Sequence, residues 1–165
     1  MKTVGILSDT HCDLLDDRFQ SRCDHAFAEC DTIIHAGDLT DIAILAAFRN
    51  REVYAVCGNM CNRPTRQLLP ESRDLVLGGY RIAVTHGTGT RHNIEERVLA
   101  LFPEAACIVF GHSHQPLCRR HAGTILINPG SFQETGRYGA PGTYAILRIG
   151  AEGLDAAIHT LPQPR

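Results

Sequence analysis

Thr3-Val4-Gly5-Ile6-Leu7-Ser8-Asp9-Thr10-His11 sets the reading of the whole chain. Its first six residues are a short, continuous apolar run, which reads as a strand buried on both faces. The run stops at two potential ligands, Asp9 and His11, spaced i and i+2. Downstream, Leu15, Phe19, Ala26, Phe27 and Cys30 fall close to helical spacing and predict a helix within residues 14–30. Thr32–Ala36 is a second strand, ending in Gly37-Asp38. Thr40 is placed to cap a helix running to about residue 50, with Ile44, Leu45 and Phe48 turned inward. Glu52–Cys57 is a third strand, ending in Gly58-Asn59. This β-α-β-α-β alternation predicts parallel strands joined by right-handed crossovers.

The pattern loosens over residues 60–73, which are polar and carry Pro64, Pro70, Arg63, Arg66 and Arg73. Leu75–Leu77 and Arg81–Thr85 flank Gly78-Gly79 as a hairpin, whose second arm ends in His86-Gly87. Residues 93–102 predict a short helix, with Asn93 as cap and Glu96 completing a capping-box-like pair. The apolar run Ala105–Phe110 then stops at Gly111 and releases His112 and His114. In an extended backbone, side chains two apart point the same way, so both imidazoles are expected to reach one point. A second hairpin is predicted for Pro116–His121 and Thr124–Ile127, then a tight turn at Asn128–Ser131. A glycine-rich loop through Gly142 leads to two last strands, Thr143–Ile149 and Leu154–Leu161. The expected architecture is α/β with two sheets, a mixed one from the first half and a more antiparallel one from the second, forming a single domain over residues 1–165.

The 165 residues are 44% apolar and 21% charged, the composition of an ordinary globular domain with a real core. A net charge of 16 − 18 = −2 gives no general electrostatic case for nucleic acid or an anionic membrane as partner. No apolar stretch approaches the roughly 20 residues that span a bilayer, and an acidic residue at Asp9 comes too soon for a secretory signal. The seven cysteines include several in apolar runs or on a predicted helix, which reads as a reducing, cytoplasmic setting. Exposed apolar residues on the later strands leave a homo-oligomer open.

Laid side by side, the strand ends read Asp9-x-His11, Gly37-Asp38, Gly58-Asn59, His86-Gly87 and Gly111-His112-x-His114. In open α/β sheets, ligands bind in the crevice beyond the carboxyl ends of the strands. Seven oxygen and imidazole donors from five strands exceed the needs of one four- to six-coordinate ion, but fit two ions sharing a bridging carboxylate. Two metals about 3.5–4 Å apart, holding a bridging hydroxide as nucleophile, form the usual clamp for in-line displacement at phosphorus.

These five ordered blocks resemble the calcineurin-like metallophosphoesterase superfamily, whose fold is a two-sheet β-sandwich flanked by helices. The short length and Ile127-Asn128-Pro129-Gly130-Ser131 resemble its small prokaryotic YfcE-type phosphodiesterase branch. The resemblance implies that Asp9, His11 and His114 hold one metal. Asn59, His86 and His112 would hold the other, with Asp38 bridging and Asp38, Asn59 and His86 acting through the metal-bound hydroxide. The mixed nitrogen and oxygen set suits two divalent transition ions, Mn²⁺ first and otherwise Ni²⁺, Co²⁺, Fe²⁺ or Zn²⁺. The implied activity is a phosphodiesterase on small diesters or cyclic nucleotides. The alternatives are a phosphomonoesterase, or a non-catalytic scaffold like the retromer subunit that shares this fold. One departure stands out. Where the superfamily continues after Asn with His and a carboxylate, this chain has Met60-Cys61, so the usual general acid is absent. His35 reads equally as a support for the ligands or a core histidine. Arg91, His92, Arg63 and Arg66 read chiefly as surface groups. Cys61 reads as a plain thiol, Asn128 and Ser131 as shaping the rim, and His25, His121 and His159 as structural. Cys12, next to His11, is near enough to make the site oxidation-sensitive.

Overall fold

A computed structural model describes residues 1–133 and 141–162. The chain runs β1 (Lys2–Leu7), α1 (Asp17–Ala26), β2 (Thr32–His35), a 3-10 helix (Ile42–Phe48), β3 (Glu52–Ala55), α2 (Arg63–Leu68), β4 (Ser72–Leu77) and β5 (Tyr80–Thr85). Then follow α3 (Ile94–Leu101), β6 (Cys107–Val109), β7 (Leu117–His121), β8 (Thr124–Asn128), β9 (Thr143–Gly150) and β10 (Gly153–Thr160). Part of the predicted glycine-rich loop lies outside the described residues.

Two five-stranded sheets result, ordered β10-β9-β1-β2-β3 and β4-β5-β6-β8-β7. Strands β1, β2 and β3 are parallel, with β9 and β10 antiparallel beside β1. In the second sheet β5, β6 and β8 are parallel, and β4 and β7 are antiparallel edges. The expected division of sheets by chain halves is therefore corrected. The C-terminal hairpin returns to the first sheet, and both sheets are mixed. The reason lies in β1: Val4, Ile6 and Leu7 are fully buried, so the strand needs a neighbour on each edge, and β9 supplies one through Ala145 and Leu147.

Side-chain alternation then builds the layers. Val4, Ile6, Ile34, Ala145 and Leu147 of one sheet meet Ile82, Val84, Val109, Ile125 and Ile127 of the other in a common core. On the outer face of the first sheet, Leu7, Ile33 and Ile146 pack against Phe19, Cys23, Phe27 and Phe48 from α1 and the 3-10 helix. On the outer face of the second, Ala83, Ile108 and Leu126 receive Ile94 and Val98 of α3. Gly5 has no side chain because a Cβ there would collide with the Phe27 ring.

Several predicted boundaries move. Helix α1 is shorter than its apolar pattern because the Asp16 carboxylate caps it, accepting from the Phe19 N–H at 2.7 Å. The helix expected after Thr40 is a 3-10 helix capped by Asp41; Thr40 has φ 72°, which an N-cap does not adopt. Asn93 precedes α3 in the left-handed region and makes no side-chain cap bond, so the expected capping box is absent. Residues 63–68, expected to be irregular, form α2. Asn62 caps it and Pro64 sits in its first turn, where the missing N–H costs nothing.

Candidate metal centre

The parallel strands of both sheets end on the same side as the residues quoted above, and the chain turns sharply there. Among the described residues, eight non-glycine residues have positive φ, and five are predicted ligands: Asp9, His11, Asp38, His112 and His114. A left-handed residue costs on the order of 1 kcal/mol and persists where its surroundings demand it. The glycines allow close approach. A Cβ on Gly58 would fall inside the Asp38 carboxylate, and one on Gly111 would strike Ser8 and Asp9.

Among the described residues, two groups bring their donor atoms within 4.8 Å of one another: Asp9, His11 and His114; and Asp38, His86 and His112. This corrects the geometric expectation for His112 and His114. Both are left-handed rather than extended, and they enter different groups. The two groups abut, with Asp9 Oδ1 3.9 Å from His86 Nε2. Asn59 follows β3 and lines the same hollow as His86.

Hydrogen bonding fixes which atoms remain to bind. Asp9 Oδ2 accepts from the Ser8 hydroxyl and from the His112 N–H at 3.1 Å. Its Oδ1 is buried without a hydrogen-bond partner, 3.1 Å from His114 Nε2 and 3.8 Å from His11 Nε2. His86 Nδ1 donates to the Ala36 carbonyl at 2.8 Å, because a carbonyl only accepts. In the neutral ring the lone pair is then on Nε2, which is also buried without a hydrogen bond and lies 3.2 Å from Asp38 Oδ2. His112 Nε2 likewise donates to the Gly89 carbonyl at 2.8 Å, leaving Nδ1 with its lone pair. His11 and His114 bring their Nε2 atoms to 3.3 Å. Buried lone pairs and carboxylate oxygens facing one another are costly without positive charge between them. The donor set therefore fits divalent cations. Protonation of His86 is the alternative in the bare protein. Burial opposes its charge, but the Asp38 and Asp9 carboxylates raise its pKa above the ordinary imidazole value. Burial likewise works against ionised Asp9 and Asp38, yet the surrounding imidazoles, with the Met60 N–H for Asp38, hold both below the usual carboxylate range.

The supporting residues are legible in detail. His35 is fully buried; its Nδ1 accepts from the Gly37 N–H at 3.2 Å and its Nε2 faces Thr10 Oγ1 at 3.1 Å. It is a core histidine and a brace for both ligand turns at once. Ser131 Oγ donates to the Asp9 carbonyl at 2.9 Å, and Asn128 Nδ2 donates to the Gly111 carbonyl at 3.0 Å. Arg66 is not a free phosphate clamp: it donates to the Cys61 carbonyl at 2.8 Å and to the Asn59 carbonyl. Arg63, Arg91 and His92 are exposed. Cys61 is buried and accepts from the Gly58 N–H at 3.3 Å, so it does not replace the missing acid. Cys12 accepts from Gln133 Nε2 and joins neither donor group. His159 stacks on Tyr144. Gly89, whose carbonyl accepts from His112, and Arg97, which donates to the neighbouring carbonyls, carried no sequence signal beyond the density of glycine in residues 87–89.

The sequence matches the model of the calcineurin-like phosphoesterase superfamily domain over residues 1–152. The chain belongs to that superfamily. It is 34% identical over 158 residues to a protein named a probable metallophosphoesterase from Methanothermobacter thermautotrophicus, covering 94% of this chain and 90% of that one. Its fold is shared with Entamoeba histolytica Vps29 complexed with zinc, at a TM-score of 0.77 and 19% identity over 96% of this chain and 92% of that one. It is shared too with an archaeal phosphodiesterase, at a TM-score of 0.73 and 20% identity over 95% and 99% of the two chains. The phosphoesterase thus has the fold and the family expected of it, with two mixed sheets and flanking helices. No helix among the described residues is long and apolar enough to cross a membrane.

Proposed function

We propose that this phosphoesterase is a dinuclear, metal-dependent phosphodiesterase acting on small diesters or cyclic nucleotides. The observation that carries the proposal is the pair of abutting donor groups, each with buried atoms that have no hydrogen-bond partner. Asp9, His11 and His114 would hold one cation, and His86, His112 and Asn59 the other, with Asp38 shared between them. Manganese is the first candidate among the divalent transition ions that accept such a set. When bound, the cations would neutralise phosphoryl oxygens and acidify water at the site. The chain's own residues supply the geometry. The Ala36 carbonyl fixes the tautomer of His86, and the Met60 N–H at 2.7 Å fixes Asp38 Oδ1, leaving Oδ2 for the site.

A hollow of about 420 Å³ borders Asn59, His86 and Arg66 and gives a phosphorus held at the ligands room for an ester arm. The free thiols support a reducing, cytoplasmic setting.

The test is hydrolysis by Mn²⁺-loaded protein of an aryl diester, a cyclic nucleotide and an aryl monoester, with Asp38→Ala as control. Diester turnover abolished by the substitution is expected. Turnover of the monoester alone would assign a phosphomonoesterase, no turnover would favour a scaffold, and activity surviving Asp38→Ala would place the chemistry elsewhere.

A further inference from the structure

In the loop between β5 and α3, the four successive carbonyls of Gly87 through Thr90 are all engaged. The Arg97 guanidinium, reaching back from α3, takes three: Gly87 at 3.1 Å, Thr88 at 3.0 Å and Thr90 at 2.7 Å. The fourth, Gly89, turns the other way and accepts from His112 Nε2 at 2.8 Å. Gly89 has φ +120°, a backbone conformation that a residue with a side chain rarely adopts. A Cβ there would also sit 3.3 Å from Arg97 Nη1. One side chain therefore gathers a loop whose free conformations are many, and leaves a single carbonyl aimed at a ligand imidazole.

The consequence follows from the inventory of donors. Neutral imidazole has one N–H, and a carbonyl accepts only. With the Gly89 carbonyl in place, the His112 proton is held on Nε2, which leaves the Nδ1 lone pair as the one available to the group with Asp38 and His86. With the loop released, the ring is free to change tautomer and to rotate. We infer that Arg97 is a positioning residue for the Asp38–His86–His112 group, acting through Gly89 on the tautomer and orientation of His112. The inference rests on the dinuclear reading above. It is confined to one of the two groups, because the hydrogen bonds described for Arg97 and the carbonyls of residues 87–90 lead to His112 and not directly to Asp9, His11 or His114.

Partners that orient a ligating histidine are worth about 10–100-fold in metal affinity. In Arg97→Met, titration of metal-free protein with Mn²⁺, followed by calorimetry, should therefore show one site unchanged and the other weakened by about 10–100-fold. Arg97→Lys, which offers one ammonium for the carbonyls, should restore part of that affinity. Gly89→Ala strikes the same carbonyl from the other side and should reproduce the selective loss. A separate readout needs no metal. Long-range ¹H–¹⁵N correlation on the metal-free protein should show His112 as the Nε2–H tautomer in the parent and as a mixture in Arg97→Met. Equal weakening of both sites, or an unchanged second site together with an unchanged His112 tautomer, would overturn the inference. A parent protein that binds two ions yet hydrolyses no diester would instead count against the proposed function, and leave the role of Arg97 standing.

Discussion

At the scale of single residues, the centre is governed by which lone pairs are left over. His35 shows the same logic without a metal. Its Nδ1 accepts the Gly37 N–H, so protonation there breaks a bond in a site that excludes charge. Burial pushes its pKa down to about 3 from an ordinary value of 6.5. The folded protein therefore refuses a proton that the unfolded chain accepts. The resulting stability is fully present above pH 6.5 and is lost as pH falls from there toward 3, at up to about 1.4 kcal/mol per pH unit. Denaturant midpoints of His35→Gln and the parent between pH 7 and 4 should show a shallower decline in the variant, and parallel declines would contradict this. Met60-Cys61 has a different consequence. Met60 is exposed and cannot donate a proton, while Cys61 is buried and engaged with Gly58. General acid catalysis is worth about 10²–10⁴-fold, so an aryl diester, whose leaving group needs no proton, should outpace an alkyl diester by about that factor. Equal rates on the two, measured on one metal-loaded preparation, would show that another group protonates the leaving oxygen.

At the scale of elements, turn chemistry explains both what the sequence disclosed and what it hid. Apolar runs with ligand residues at their ends were readable, because burial on both faces leaves little choice but strand. Helix α2 was hidden because Pro64 reads as a breaker, although in the first turn of a helix it is favoured. The separation of His112 from His114 was invisible to period-two reasoning, which assumes an extended backbone, and an l-histidine gives no sign of the left-handed conformation that both adopt. The return of β9 and β10 to the first sheet was hidden for another reason: pairing across more than a hundred residues leaves no local pattern. The β7–β8 hairpin offers a test of turn energetics. Ala122 and Gly123 both have positive φ, as a two-residue type I′ loop requires, and Ala122 pays for it with its Cβ. Ala122→Asn should stabilise the protein by about 1 kcal/mol, seen as a higher urea midpoint with unchanged slope. A lower midpoint would contradict the turn assignment.

At the scale of the whole molecule, two sheets with helices outside bring donors from β1, β2, β3, β5 and β6 to one end of a shared core. Because the folded chain gathers those donors and the unfolded chain does not, cation binding and folding stability are linked. An ion at about a hundred times its dissociation constant adds about 2.7 kcal/mol, which for a domain of this size raises the melting temperature by roughly 5–10 °C. Thermal melts with Mn²⁺ and with a chelator should differ by at least that much, and coincident melts would mean that the donors hold no ion. The most direct measurement is the metal content of the protein after equilibrium dialysis against Mn²⁺, by elemental analysis against protein concentration. Two ions per chain are predicted. One ion or none would contradict a centre built from two groups.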